Sequence, residues 1–236
     1  IVASGVLCMG LGWLFGLPAL RLEGLYLALA TFALGVCLPQ ILKYKGIEEW
    51  TGGVQGITLI KPEAPFGLPL SADQWLYFFS LGFLLLLMWG AHNLINSHTG
   101  GAITAIRDNP LAAAAMGIDL ARYKTTTFGV SAMYTGIAGG LSALTVQFVA
   151  PDSFGPLVSA GFLVGIVVGG LASLSGAIFG ALFLQFIPNI ADQISKAAPW
   201  AIYGVVLIGF VYLMPEGIAG FIRRARASGA HARTKT

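Results

Sequence analysis

Along the 236 residues, apolar runs of 13 to 25 positions alternate with short polar intervals, the scale of a bilayer rather than of a half-buried surface helix. Ile1–Leu17 is apolar and stops at Pro18. After Arg21 and Glu23, a second span, Leu25–Leu42, is closed by Lys43 and Lys45. Tyr44–Gln74 carries Thr51-Gly52-Gly53, Pro62, Pro65 and Pro69, too many breakers for a span, so it reads as an external loop. Trp75–Leu94 is the third span, with Trp75, Tyr77, Phe78 and Phe79 at its interfacial start. Thr125–Val149 is the fourth. Phe162–Leu174 and Ala177–Ile194 are the fifth and sixth, the fifth short for a hydrocarbon core of ~30 Å. Trp200–Met214 is the last. The pattern predicts an all-α integral membrane protein, a polytopic helix bundle with some short or broken spans.

One interval breaks this rhythm. Gly100–Lys124 is polar and alanine-rich, and holds Arg107, Asp108, Asp119, Arg122 and Lys124. Asn109 suits a helix N-cap, and Pro110 suits the first helical position, where a missing N–H costs nothing. Gly117 can take the left-handed conformation that ends a helix, with Ile118 supplying the apolar contact of a Schellman ending. Pro110–Met116 is therefore expected to be a two-turn helix stopped sharply at both ends. A helix this short does not persist alone in water, where ~12–15 residues are needed. Its Leu/Ala/Met surface carries no charge, so a membrane surface or a partner protein must cover it.

Composition agrees with the pattern: 56% apolar, 10% charged, and a mean hydropathy of +0.81. Thirty-two glycines lie largely inside apolar runs, which fits closely packed membrane helices. Cys8 and Cys37 sit in apolar segments and read as packing residues. The net charge of +3 is modest and its basic residues gather at membrane edges, which argues topology rather than nucleic-acid binding. Arg107, Arg122 and Lys124 in one loop, and Arg223, Arg224, Arg226, Arg233 and Lys235 in the tail, are placed inside. Tyr44–Gln74 and Ala150–Pro156 then fall outside, and Lys43 and Lys45 weakly oppose the rule. Residues 1–217 form one transmembrane domain, with the loop 100–124 inside it and a basic cytoplasmic tail over 218–236. The chain begins within an apolar run and without Met, so N-terminal spans are expected to be missing.

Candidate chemistry is sparse. No phosphate-binding G-x-x-x-x-G-K-[ST] loop and no metal-ligand spacing occurs, so the chain carries no cofactor of its own. His92, His98 and His231 read as interfacial residues, and no catalytic residue is assigned. No span holds an Asp, Glu, Lys or Arg near its middle, whereas ion-coupled transporters usually keep one there. Gly161/Gly165/Gly169, Gly136/Gly140 and Gly176/Gly180 repeat at four-residue spacing. Intrachain packing is the plainer reading, a subunit interface the alternative. Gln185, Asn189, Asp192 and Gln193 share one face of the sixth span, where Pro188 frees a carbonyl. Such a face lines a water-filled path or bonds a neighbouring helix. With the loop at Thr51, Gly52 and Gly53, the residues Gln185, Asn189 and Asp192 are the candidates for substrate entry on the outer side.

Four segments carry a resemblance that spans most of the chain: LRLEGLYLALATFALG at Leu20–Gly35, TGGVQGI at Thr51–Ile57, AIRDNPLAAAAMGIDLARYK at Ala105–Lys124 and VGIVVGGLASLSGAIFGA at Val164–Ala181. In this order they resemble the permease subunits of bacterial ABC importers for branched-chain amino acids, the LivM-like family. The third is the most specific. It is similar to the EAA-type loop of ABC permeases, with Ala112, Ala113 and Gly117 matching A-A-x-x-x-G. The resemblance implies a cytoplasmic coupling helix that docks on an ATPase subunit, with Arg107, Asp108, Asn109, Pro110, Ala112, Ala113, Met116 and Gly117 as its coupling residues. It further implies a second permease, two cytoplasmic ATP-binding subunits that hold ATP and Mg, and an extracytoplasmic solute-binding protein. The setting it implies is the bacterial inner membrane, with the C-terminus cytoplasmic. Two positions depart from the family. Ala114 stands where an acidic residue is common, and Val36 where a Glu often follows the glycine. The second departure loosens the case for an amino-acid substrate and leaves urea, amides and carboxylates open. A self-contained secondary transporter or channel is the alternative class, with an intramembrane enzyme more remote.

Overall fold

The computed structural model describes residues 1–19, 25–46, 48–62, 71–171 and 173–194, with a few isolated positions beyond. Its elements are almost all helical, and the chain divides into two compact units, Ile1–Gly155 and Pro156–Thr236.

The first unit is built on α1 (Val2–Ala19) and α7 (Leu120–Val146), which pack along much of their length. Lipid tails are as apolar as leucine, so close backbone approach must supply what the hydrophobic effect supplies in water. Small residues allow it here. A Cβ added to Gly136 would stand 2.6 Å from the Cβ of Cys8, and one on Gly5 would stand 2.7 Å from Cγ1 of Ile137. The Ser4 hydroxyl donates to the carbonyl of Gly136 at 3.0 Å, a polar tie across the same seam. Gly136 and Gly140 therefore serve intrachain packing, and Cys8 is part of it.

Helices α2 (Leu25–Leu42) and α4 (Ala72–Ile95) form where the apolar pattern places them. The start of α4 is fixed by a capping box in which the Ser71 hydroxyl accepts from the Gln74 N–H and the Gln74 side chain accepts from the Ser71 N–H. Midway along, the Tyr134 hydroxyl of α7 donates to the Leu87 carbonyl of α4 at 3.1 Å. Much of the apolar surface of α4, from Tyr77 and Phe78 to Leu85 and Trp89, is exposed, as suits a surface facing lipid or another membrane chain.

After α2 the described residues run from 43 to 46 and from 48 to 62. A single turn, α3 (Glu48–Thr51), leads through Gly52 and Gly53 to β1 (Ile57–Thr58). This strand pairs antiparallel with β2 (Phe148–Val149), which follows α7, in the register Ile57↔Val149 and Thr58↔Phe148. Lys43 also forms an ion pair with Asp152 in the 3-10 turn Pro151–Phe154. The two loops that the charge pattern puts outside thus meet at one end of the unit. Of the two lysines that oppose the positive-inside rule, Lys43 has a carboxylate partner.

Two boundaries differ from those the apolar pattern predicts. The fourth span begins at Leu120 rather than Thr125, because the Asp119 side chain accepts from the Arg122 N–H at 3.1 Å and starts the helix early. Arg122 and Lys124 therefore lie in the first turns of α7, not in a loop. In the second unit, α8 (Pro156–Gly169) starts six residues before Phe162 and stops before Leu174. It breaks at Gly170, whose φ of +115° only glycine adopts readily. Helix α9 (Leu174–Ile194) then folds back on α8. The backbones of Gly165 and Gly169 touch those of Gly180 and Gly176, whereas Gly161 faces open space. The glycine repeat thus divides into packing positions and one free position.

Three runs are long and apolar enough to cross a membrane: Ala72–Ile95, Leu120–Val146 and Pro151–Gly169, the last taking in the 3-10 turn. Shorter apolar helices cover Val2–Leu17, Leu29–Leu42 and Leu174–Ile190. The protein is an all-α, multi-pass membrane protein. The seventh span Trp200–Met214 falls largely outside the described residues. The basic residues of the tail with His231, the Arg21/Glu23 interval, and Pro65 and Pro69 fall outside them altogether.

Candidate functional site

At the end of α7 away from the paired loops, three helical pieces are joined by caps. A 27-residue helix is about 40 Å long, so this end lies well clear of the strands. Helix α5 (His98–Asp108) starts at Ser97, whose hydroxyl accepts from the Gly100 N–H. Nothing in the residue pattern marks this helix, because its first turn holds the pair Gly100-Gly101, a poor helix former. Gly100 is buried against the carbonyls of Leu94 and Ile95, where any side chain would collide.

Asn109 closes α5 and opens α6 (Pro110–Ala115). Its N–H donates to the Ala105 carbonyl at 3.0 Å, and its Oδ1 accepts from the Ala112 N–H at 3.1 Å. Pro110 occupies the first helical position, as expected. The far end is a complete Schellman motif. The Ile118 N–H reaches the Ala113 carbonyl at 3.1 Å, and the Gly117 N–H reaches the Ala114 carbonyl at 3.0 Å. Gly117 takes φ +82°, and no neighbouring atom crowds its missing side chain. Glycine is required here by conformation alone. Both stops of the short helix are therefore legible in the residues.

The faces of α6 are not. Ala113 is buried, 3% exposed, in the helix that packs on α5 and α7. Ala112, Ala114 and Ala115 face outward, and Leu111 and Met116 are 84% and 83% exposed. Of the residues the resemblance implicates, Ala113 anchors the helix to its own protein. Leu111, which the resemblance does not single out, stands free. Arg107 and Asp108 pair with each other at 2.9 Å on the surface, a contact of small energetic weight. An open groove of about 570 Å³ lies beside the helix exit, lined by Asn96, Ser97, His98, Gly101, Ala102 and Ile118. His92 rests against the Asn96 amide at 3.1 Å.

The entry candidates lie elsewhere. In the first unit, the Thr51 hydroxyl donates to the Leu42 carbonyl at 2.7 Å and accepts from the Gly53 N–H at 3.3 Å. Gly52 and Gly53 both have positive φ, +70° and +52°, so this turn needs glycine twice. These roles are structural. In the second unit, Gln185 and Asn189 are exposed on α9, and the Asn189 amide donates to the Gln185 carbonyl at 2.8 Å. Asp192 continues the same helix, and its side chain lies outside the described residues.

Likeness to known proteins decides the class. A family described as the permease component of branched-chain amino acid transport systems matches residues 1–214. The chain belongs to this family. The high-affinity branched-chain amino acid permease protein LivM of Escherichia coli K12 is 28% identical over 243 residues, which cover 93% of this chain and 56% of LivM. A probable LivH permease of Methanocaldococcus jannaschii is 27% identical over 82% of this chain and 64% of its own length. The autoinducer 2 permease protein LsrC of an Enterobacter species is 29% identical over 85% of this chain and 62% of its own. The chain spans about half the length of the LivM relatives it matches. No solved structure matches it. Within the family stretch, α6 and its caps present Leu111 and Met116 almost fully exposed.

Proposed function

We propose that the protein is the permease subunit of an ATP-driven importer, and that α6 is its coupling helix. The observation that carries this reading is geometric. Two caps hold a six-residue helix rigidly at one end of α7, and the helix presents Leu111 and Met116, without charge, to the outside. A rigid apolar peg of this kind fits a groove on a cytoplasmic ATPase subunit, and burying it there contributes docking free energy. The ATPase supplies ATP hydrolysis with its Mg, a second permease supplies the other half of the pathway, and an extracytoplasmic binding protein delivers the solute. A cytoplasmic position of α6 and the C-terminus, in a bacterial inner membrane, is in keeping with the charge pattern.

The solute is a branched-chain amino acid or a related small polar molecule, in keeping with the transport roles named for the relatives. Val36, exposed on α2 where the resemblance leads one to expect an acid, favours a search that includes amides and carboxylates. The absence of charged residues near the middle of any span argues that the driving force comes from another subunit. Reconstitution into proteoliposomes tests the class. With the second permease, the ATPases and the binding protein present, uptake is expected only when ATP is supplied to the ATPases. Accumulation driven by a sodium or proton gradient, with the ATPases left out, would establish a secondary transporter instead.

A further inference from the structure

At the end of the first unit opposite α6, the segment between α2 and β1 crosses to the exit of α7 and is held there by a small set of contacts. The Leu59 N–H donates to the Gln147 carbonyl at 2.7 Å, two residue pairs join β1 to β2, and Lys43 pairs with Asp152. Helix α2 meets the rest of the unit chiefly at the 3-10 turn that carries Asp152, so these contacts also govern where α2 sits.

Each tie is weak. A two-residue ladder has no stability of its own, and Asp152 is 67% exposed, so water screens its ion pair. The acceptor is strained. Gln147 has φ +63°, the one positive value at a non-glycine position among the described residues, and its carbonyl is the one Leu59 grips. The strap is also jointed: Gly52, Gly53 and Gly56 all hold positive φ, and Gly56 packs directly on the Val149 carbonyl and Ala150. Finally, Pro39 removes the N–H that would bond the Gly35 carbonyl, which softens α2 one turn before the strap.

We propose that residues 43–46 and 48–62 form a latch, closed by Leu59–Gln147, Ile57–Val149 and Lys43–Asp152, which must open in each transport cycle to release the end of α2 from α7. Its weak ties and its strained acceptor suit a contact that is broken and remade rather than a permanent brace. The inference rests on the transport reading above.

The test is a reversible lock. Ile57 and Val149 are opposed in the register, and opposed antiparallel positions bring Cα atoms within disulfide reach. Ile57→Cys with Val149→Cys, in a background of Cys8→Ala and Cys37→Ala, is assembled with its partner subunits in proteoliposomes and treated with a mild thiol oxidant. Oxidation is expected to lower ATP-driven uptake about tenfold or more, as for a trapped lid, and reduction to restore it. Neither single variant responds, and the ATPases stay bound throughout. Lys43→Asp alone is expected to raise ATP hydrolysis without solute, and Lys43→Asp with Asp152→Lys to return it toward the original level. Full uptake by the locked protein would show a static brace, and failure of the pair to crosslink would show that the strands do not meet in the assembly. Either result overturns the latch. ATP-independent uptake by the unlocked protein would instead overturn the importer reading beneath it.

Discussion

Leu111→Asp together with Met116→Asp is expected to strip the ATPase subunits from the permease and abolish uptake, while membrane levels stay normal. Both side chains are more than four-fifths exposed, so the protein's own fold gains nothing from them. On the proposed reading their value lies in a contact outside the chain. Burying two such side chains contributes about 3 kcal/mol at the lower end, a hundredfold or more in affinity. A carboxylate forced into the same groove adds a desolvation penalty. Co-purification of ATPase with permease, alongside uptake in cells, reads the effect. Normal association would mean that α6 is an ordinary interfacial loop. Ala113→Trp makes the contrast. At a site only 3% exposed it overpacks the protein's interior and is expected to lower membrane levels as well, which the surface pair does not.

Gly180→Val is expected to damage the second unit severely. A side chain at 180 runs into the backbone of Gly165, with the carbonyl carbon 2.9 Å from the added Cβ. Backbone cannot swing aside as a flexible side chain can, so α8 and α9 must separate. Overpacking typically costs about 1–3 kcal/mol, and a clash between two backbones belongs at the top of that range or above it. The expected result is a sharp drop in thermal stability of the purified protein and in its level in the membrane. Gly161→Val is the control from the same four-residue repeat. Nothing lies within 4 Å of its added Cβ, so stability should hold. Equal damage from both would show that the repeat serves a neighbouring subunit rather than the hairpin.

These two cases mark what a sequence displays and what it withholds. Caps are local, and so Asn109, Pro110 and Gly117 announce the ends of α6 by their identities and spacing alone: each acts on backbone groups within a few residues. The apolar runs are equally plain, and α2 forms over the stretch the pattern marks. Whether Ala113 or Leu111 faces outward depends on packing against α7 and against α5, a helix that its glycine pair hides. Asp119 acts just as locally as Asn109, but the charges after it make Arg122 and Lys124 look like loop. Gly161 and Gly165 are chemically identical and four residues apart, and only their neighbours separate them. The pairing of β1 with β2 is hidden for the same reason: two residues carry no periodicity, and their partners lie some 90 positions away.

Burial of α6 in an ATPase subunit can be tested by contact rather than by loss of function, with a photoreactive residue. A benzophenone amino acid placed at Leu111, with the assembled importer in its native membrane, is irradiated and its adducts identified. A strong crosslink is expected from position 111 to the ATPase subunit, and none from an exposed position such as Asn189 on α9. A position-111 adduct with lipid alone, in a preparation where the ATPase is present and active, would contradict it.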